Sequence, residues 1–171
     1  MGTDFNQKAE NPPEPARSTF FEAARAGDTQ SVTLLLQRHP WATHWRNSAR
    51  KTPLMVAIEG KQEAMALLLI GQGSDIGHKD NDGWTPLIHA VVHDMPRLVR
   101  LLITKGANIE DRMISSEMTP LLAAGMMGRT ECAEILMQAG ADAKAVDDRR
   151  LDAAQWAGQS GHAATQEAIR S

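Results

Sequence analysis

Tyrosine is absent from the 171 residues, and cysteine occurs once, as Cys132. A single cysteine permits no internal disulfide, so the chain cannot be stapled by one. Aromatic residues make up only 4%, three Phe and four Trp. Any core must therefore be built from Leu, Ala, Ile, Val and Met, and nine methionines are on hand for it. A surplus of basic charge is missing too. Eighteen Lys and Arg against 21 Asp and Glu give a net charge of −3, without the excess by which general nucleic-acid binders neutralise phosphates. The longest apolar run, residues 64–70, falls far short of the ~18 residues that span a bilayer. Residues 1–17 hold no apolar segment of the kind that forms a secretory leader, and Asn6 stands where myristoylation after Gly2 needs Ser or Thr. Together these absences set the expectations: a cytoplasmic monomer with no membrane and no nucleic-acid partner.

What is present is a period. Thr52-Pro53-Leu54-Met55, Thr85-Pro86-Leu87-Ile88 and Thr119-Pro120-Leu121-Leu122 recur at intervals of 33 and 34 residues. Each tetrad leads to small residues (Ala57, Ala90, Ala124), then to an aliphatic triplet centred on Leu69, Leu102 or Leu136. Each triplet is followed by a turn opening on Gly73, Gly106 or Gly140. Proline just inside a helix loses nothing, since the first N–H groups have no partner there. The preceding threonine can accept those N–H groups. Glycine after the second helix permits a left-handed residue. A fixed period of this length marks stacked helix-turn-helix units, none of which buries its apolar face alone.

The Thr-Pro-Leu tetrads and the Gly-Ala-Asp/Asn turns resemble ankyrin repeats, most fully from 73 to 90. Two weaker copies align in register, one from Ser18 to Asp28 and one from Asp152 to His162. The resemblance thus covers residues 18–171 as five repeats, starting near 18, 52, 85, 119 and 152. It implies an all-α solenoid of helix-turn-helix units with β-hairpin-like fingers between them. The Pro-rich stretch before it, residues 1–17, is expected to be a flexible tail, with a PxxP match from Pro12 to Pro15 weighed and set aside. Three features depart from the family. Met55, Ile88, Leu122 and Gln155 occupy the place of its usual histidine. The finger from 106 to 118 is one residue longer than its neighbour. The first finger, 44–51, has Arg50 where glycine is usual.

No phosphate-binding loop, nucleophile elbow or zinc-protease signature occurs, so no catalytic residue, cofactor or metal is assigned and the chain is read as no enzyme. Cys132 falls at a core position of a second helix. His89 and His93 have the i, i+4 spacing of a metal pair, but packing and surface contact are the preferred readings. Asp80, Asn81 and Asp82 imitate part of a calcium loop that lacks its final glutamate. Asp147 and Asp148 are expected on a solvated finger, Trp156 in packing, and Trp41 and Trp45 over the junction of the first two repeats.

Function is left to a surface. The resemblance implies a concave face, made by the residue before each helix-opening tetrad and by the last exposed pair of each first helix. On this sequence the candidates for partner binding are Lys51, Trp84, Val92, His93, Met118, Met126, Met127 and Leu151. Trp84 and Met118 are expected to be exposed on one face. Met126 and Met127 have two orientations open, into the groove or into the seam between repeats. An apolar centre with a polar rim is how protein-binding sites are built. The reading is a non-catalytic module that binds a folded protein, as a dedicated inhibitor or regulator. A scaffold is the alternative, and a small ligand- or metal-binding accessory protein a weaker one.

Overall fold

The structure, a computed structural model, describes residues 14–171. Most of the expected tail, with Pro12 and Pro13 of the PxxP match, lies outside the described residues. Among the described residues regular structure is entirely helical, in five consecutive pairs. The pairs are α1 (Ala16–Ala26) with α2 (Thr29–Arg38), α3 (Pro53–Glu59) with α4 (Glu63–Gly71), α5 (Pro86–Val92) with α6 (Pro96–Thr104), α7 (Pro120–Met127) with α8 (Thr130–Gln138), and α9 (Ala153–Gln159) with α10 (Ala163–Arg170). The chain divides into two compact units at residues 81 and 82, so α1–α4 belong to the first and α5–α10 to the second.

The helix starts follow the threonines. The hydroxyls of Thr52, Thr85 and Thr119 accept the N–H groups of Met55, Ile88 and Leu122 at 3.3, 3.4 and 3.3 Å. Pro53, Pro86 and Pro120 occupy the first turns. At α9, Asp152 replaces threonine. Its carboxylate accepts the Gln155 N–H at 2.7 Å, and the Gln155 side-chain oxygen accepts the Asp152 N–H at 2.9 Å. This reciprocal pair is a full capping box, worth on the order of 1 kcal/mol over an uncapped start. Helix α1 has no such cap and begins two residues before the expected start, behind Pro15. Gly73, Gly106 and Gly140 are left-handed, with φ of 81°, 88° and 89°. After each, Asp75, Asn108 or Asp142 accepts the N–H two residues on.

Each unit has its own core. Phe20, Trp45, Leu54, Ile58, Met65 and Leu69 fill the first; Leu87, Ile88, Leu98, Leu102, Leu121 and Leu136 fill the second. The central residue of every aliphatic triplet is fully buried. First helices also approach very closely through glycine. A Cβ on Gly60 would lie 2.2 Å from the Arg25 carbonyl oxygen, and one on Gly125 2.3 Å from that of Ala153.

The first connection differs from expectation. Pro40–His44 form a 3-10 helix just ahead of the expected first finger, ending on its first residue. Trp45 is 1% exposed and meets Phe20 edge-on at 5.6 Å, so it is part of the first unit's core. Trp41 is exposed, its ring edge-on to His39.

The fingers are tight turns rather than strands. In the first, Asn47 Oδ1 accepts the Ala49 and Lys51 N–H groups at 3.0 and 2.9 Å. In the fourth, Asp147 Oδ1 accepts those of Arg149 and Leu151 at 3.0 and 2.9 Å. The tip residue is left-handed in each: Arg50, Gly83, Glu117 and Arg150. The third finger has Met113 where the acceptor side chain belongs, and Met113 N–H reaches the Met118 carbonyl across one more residue. Ser115 and Ser116 fill the wider loop. Backbone bonds from Ile114 N–H to the Asp82 carbonyl (3.0 Å) and from Asp148 N–H to that of Ser116 (3.4 Å) tie fingers two to four side by side.

Candidate functional site

The third finger lines a concavity in the second unit of about 420 Å³. Trp84 enters from the second finger. Val92 comes from the end of α5, and Met126 and Met127 from the end of α7. Trp156 stands on α9, and Met113 and Met118 on the third finger. Trp84, Val92, Met126, Met127 and Trp156 are half-buried. Ser115, Ser116, Asp148 and Arg149 add polar groups to the lining. The arrangement is apolar walls with a polar rim, 13 residues in all.

Five of the eight candidates therefore converge: Trp84, Val92, Met118, Met126 and Met127. Met118 does so in a way that corrects the expectation. It is 4% exposed, on a finger one residue longer than the others, whose Met118 carbonyl accepts the Met113 N–H. It is floor, not an exposed face beside Trp84. Lys51 lies in the first unit, where its ammonium pairs with Glu59, which Arg25 also reaches at 2.9 Å. His93 is half-buried and stacks on the His89 ring at 6.4 Å, with the planes 3° apart. His89 is buried and lies 5.2 Å from the Trp84 ring. Neither His93 nor Leu151 lines the concavity. Leu151 gives its backbone to the fourth finger, through Asp147.

Asp147 overturns a second expectation. It is 4% exposed, not solvated. Its Oδ2 accepts the Trp156 indole N–H at 2.8 Å, while Oδ1 holds the turn. Burial works against its charged form. The Leu151 N–H, the Trp156 indole, the Arg149 N–H and the Arg149 charge together outweigh it and hold the carboxyl below its ordinary value of 3.8. The Arg149 guanidinium lies 5.5 Å from the Trp156 ring centre, a cation–π distance. Trp156, expected only to pack, is thus fixed in the wall by a carboxylate on one side and a cation on the other. The signal available in the sequence was the register Asn47, Asp80, Asp147, each five residues before a helix cap.

Burial, with the carboxylates of Asp94 and Glu131 nearby, pushes the Cys132 thiol up to about 12, far from the thiolate a nucleophile needs. Among the described residues no three His, Cys, Asp or Glu side chains gather closely enough to hold a metal. No helix of the described residues is long and apolar enough to cross a membrane.

The helix pairs, their threonine caps and the fingers between them match a family described as ankyrin repeats (3 copies) over residues 20–113 and 60–147. The chain belongs to the ankyrin-repeat family. It is 31% identical over 138 residues to the E3 ubiquitin-protein ligase KEG of Arabidopsis thaliana, covering 79% of the chain and 8% of that protein. It is 39% identical over 99 residues to the B-cell lymphoma 3 protein homolog of Mus musculus, 57% of the chain and 22% of the relative. A third relative is ankyrin repeat and SAM domain-containing protein 6 of Rattus norvegicus, 30% identical over 97 residues, 56% of the chain and 11% of the relative. The chain thus spans a small part of these relatives' length. Ankyrin repeats mediate protein–protein interaction as a family and are in general not catalytic.

Proposed function

We propose that this ankyrin-repeat chain binds a folded protein through the concavity of its second unit, as an inhibitor or regulator of that partner. The supporting observation is the convergence of Trp84, Val92, Met126, Met127 and Trp156 around one space with a polar rim. All five are half-buried. Large side chains so placed have area left to bury, and aromatic residues are the usual anchors of protein interfaces. The methionines add adaptable, polarisable contact. Trp156 is held in one orientation before any partner arrives, which lowers the ordering cost of binding.

The test is affinity capture with wild type and with the Trp84→Ala/Met127→Ala double variant, matched for thermal stability. The expected result is a protein retained by wild type and lost from the variant, whose own activity then falls as the ankyrin chain is titrated in. Equal retention by both forms contradicts the assigned surface. Retention without any change in the partner's activity favours the scaffold.

A further inference from the structure

Four of the nine methionines line the same concavity, and they are not equally reachable. Met113 and Met118 are 5% and 4% exposed. Met126 and Met127, side by side at the end of α7, are half-buried. Met55 and Met65 lie in the first unit's core at 0% and 1%, and Met95 is 7% exposed. Outside the concavity, Met137 on α8 matches Met126 and Met127 in being half-buried. The molecule therefore holds an accessible thioether pair in its apolar wall and an accessible thioether elsewhere as an internal comparison.

We propose that Met126 and Met127 are a methionine-oxidation site through which a peroxide disables the docking surface and reduction restores it. The inference rests on the docking role proposed for this concavity. In the step, a lone pair on the thioether sulfur attacks one oxygen of hydrogen peroxide. The O–O bond breaks, an S–O bond forms, sulfur gives up two electrons, and the proton of the transferred oxygen passes to the second oxygen, which leaves as water. The product sulfoxide is polar and chiral where the thioether was apolar. Trp84 and Val92 share the wall and offer an apolar surround. A partner's apolar anchor seated there would have to strip water from the sulfoxide oxygen without replacing its hydrogen bonds, which is costly. Solvent already reaches both side chains, so oxidation needs no unfolding. Since these residues are not part of either buried core, the fold should survive it.

The experiment uses hydrogen peroxide as oxidant, peptide mass mapping to locate each added oxygen, and 1-anilinonaphthalene-8-sulfonate as a fluorescent probe of the concavity. Wild type is compared with Met126→Leu/Met127→Leu, which keeps an apolar wall that cannot be oxidised, and with Met137→Leu. Circular dichroism and the melting transition report whether the fold persists. Met126, Met127 and Met137 should gain oxygen first, Met113 and Met118 later, and Met55 and Met65 last. Probe affinity should fall about tenfold for wild type and for Met137→Leu. It should hold for the Leu pair and return after treatment with methionine sulfoxide reductases. Oxidation of Met126 and Met127 no faster than Met118, or an affinity loss equal in the Leu pair, overturns the inference alone. If reduced wild type binds the probe no better than Trp84→Ala does, the inference falls together with the docking surface on which it rests.

Discussion

At the scale of single residues, Asp147 shows how one side chain ties a turn to a wall. It accepts two backbone N–H groups and an indole N–H while buried. Asp147→Ala leaves all three donors without that acceptor and should cost about 1 to 3 kcal/mol. Urea unfolding measures it, and Trp156 emission should shift in the folded variant. The pH dependence has a definite sign. The folded-state carboxyl lies below its ordinary value of 3.8, so its contribution is fully present above about pH 4 and is lost as pH falls through the lower, folded value. Asp147→Asn should flatten that acid limb of the stability profile. The sequence alone did not reveal this residue, because an Asp-Asp-Arg-Arg run reads as a solvated surface. Only its place in the 33-residue register separates it from its neighbour Asp148. Met118 was misread for a related reason. The single additional residue in its finger was visible, but not that Met118 would be buried there.

At the scale of elements, the fold was legible almost throughout, because it is written in local chemistry. The Thr-Pro starts, the glycine stops and the alanine-lined first helices each carry their own physical reason. Short helices of seven to eleven residues are too short to stand alone, so the period itself implied stacking. What escaped was the 3-10 helix at 40–44, which opens on Pro40 and Trp41, and the early start of α1, which has no threonine to fix it. Two predictions belong here. Gly125→Val places a Cβ only 2.3 Å from the Ala153 carbonyl oxygen. It should destabilise by about 1 to 3 kcal/mol, as thermal or urea unfolding will report. Leu102→Ala removes a fully buried side chain from α6 and should cost about 2 to 5 kcal/mol; Leu69→Ala tests the same point in the first unit. A loss below about 1 kcal/mol at either leucine would mean that the triplets do not carry the core.

At the scale of the whole molecule, the family and the geometry contribute different things. Membership of the ankyrin-repeat family supplies protein interaction as the general activity. The sequence could name residues on the expected concave face but not decide which of them gather. Five do so in the second unit, while Lys51 in the first is engaged with Glu59. That difference separates the proposed site from the wider set the sequence offered. The most direct measurement is the equilibrium affinity of the captured partner for wild type, Trp84→Ala and Lys51→Ala. Trp84→Ala should weaken binding at least about 30-fold, the scale of an interface hot spot, and Lys51→Ala by no more than about twofold. Equal losses at both, or a loss at Lys51 alone, would contradict the placement of the binding surface in the concavity of the second unit.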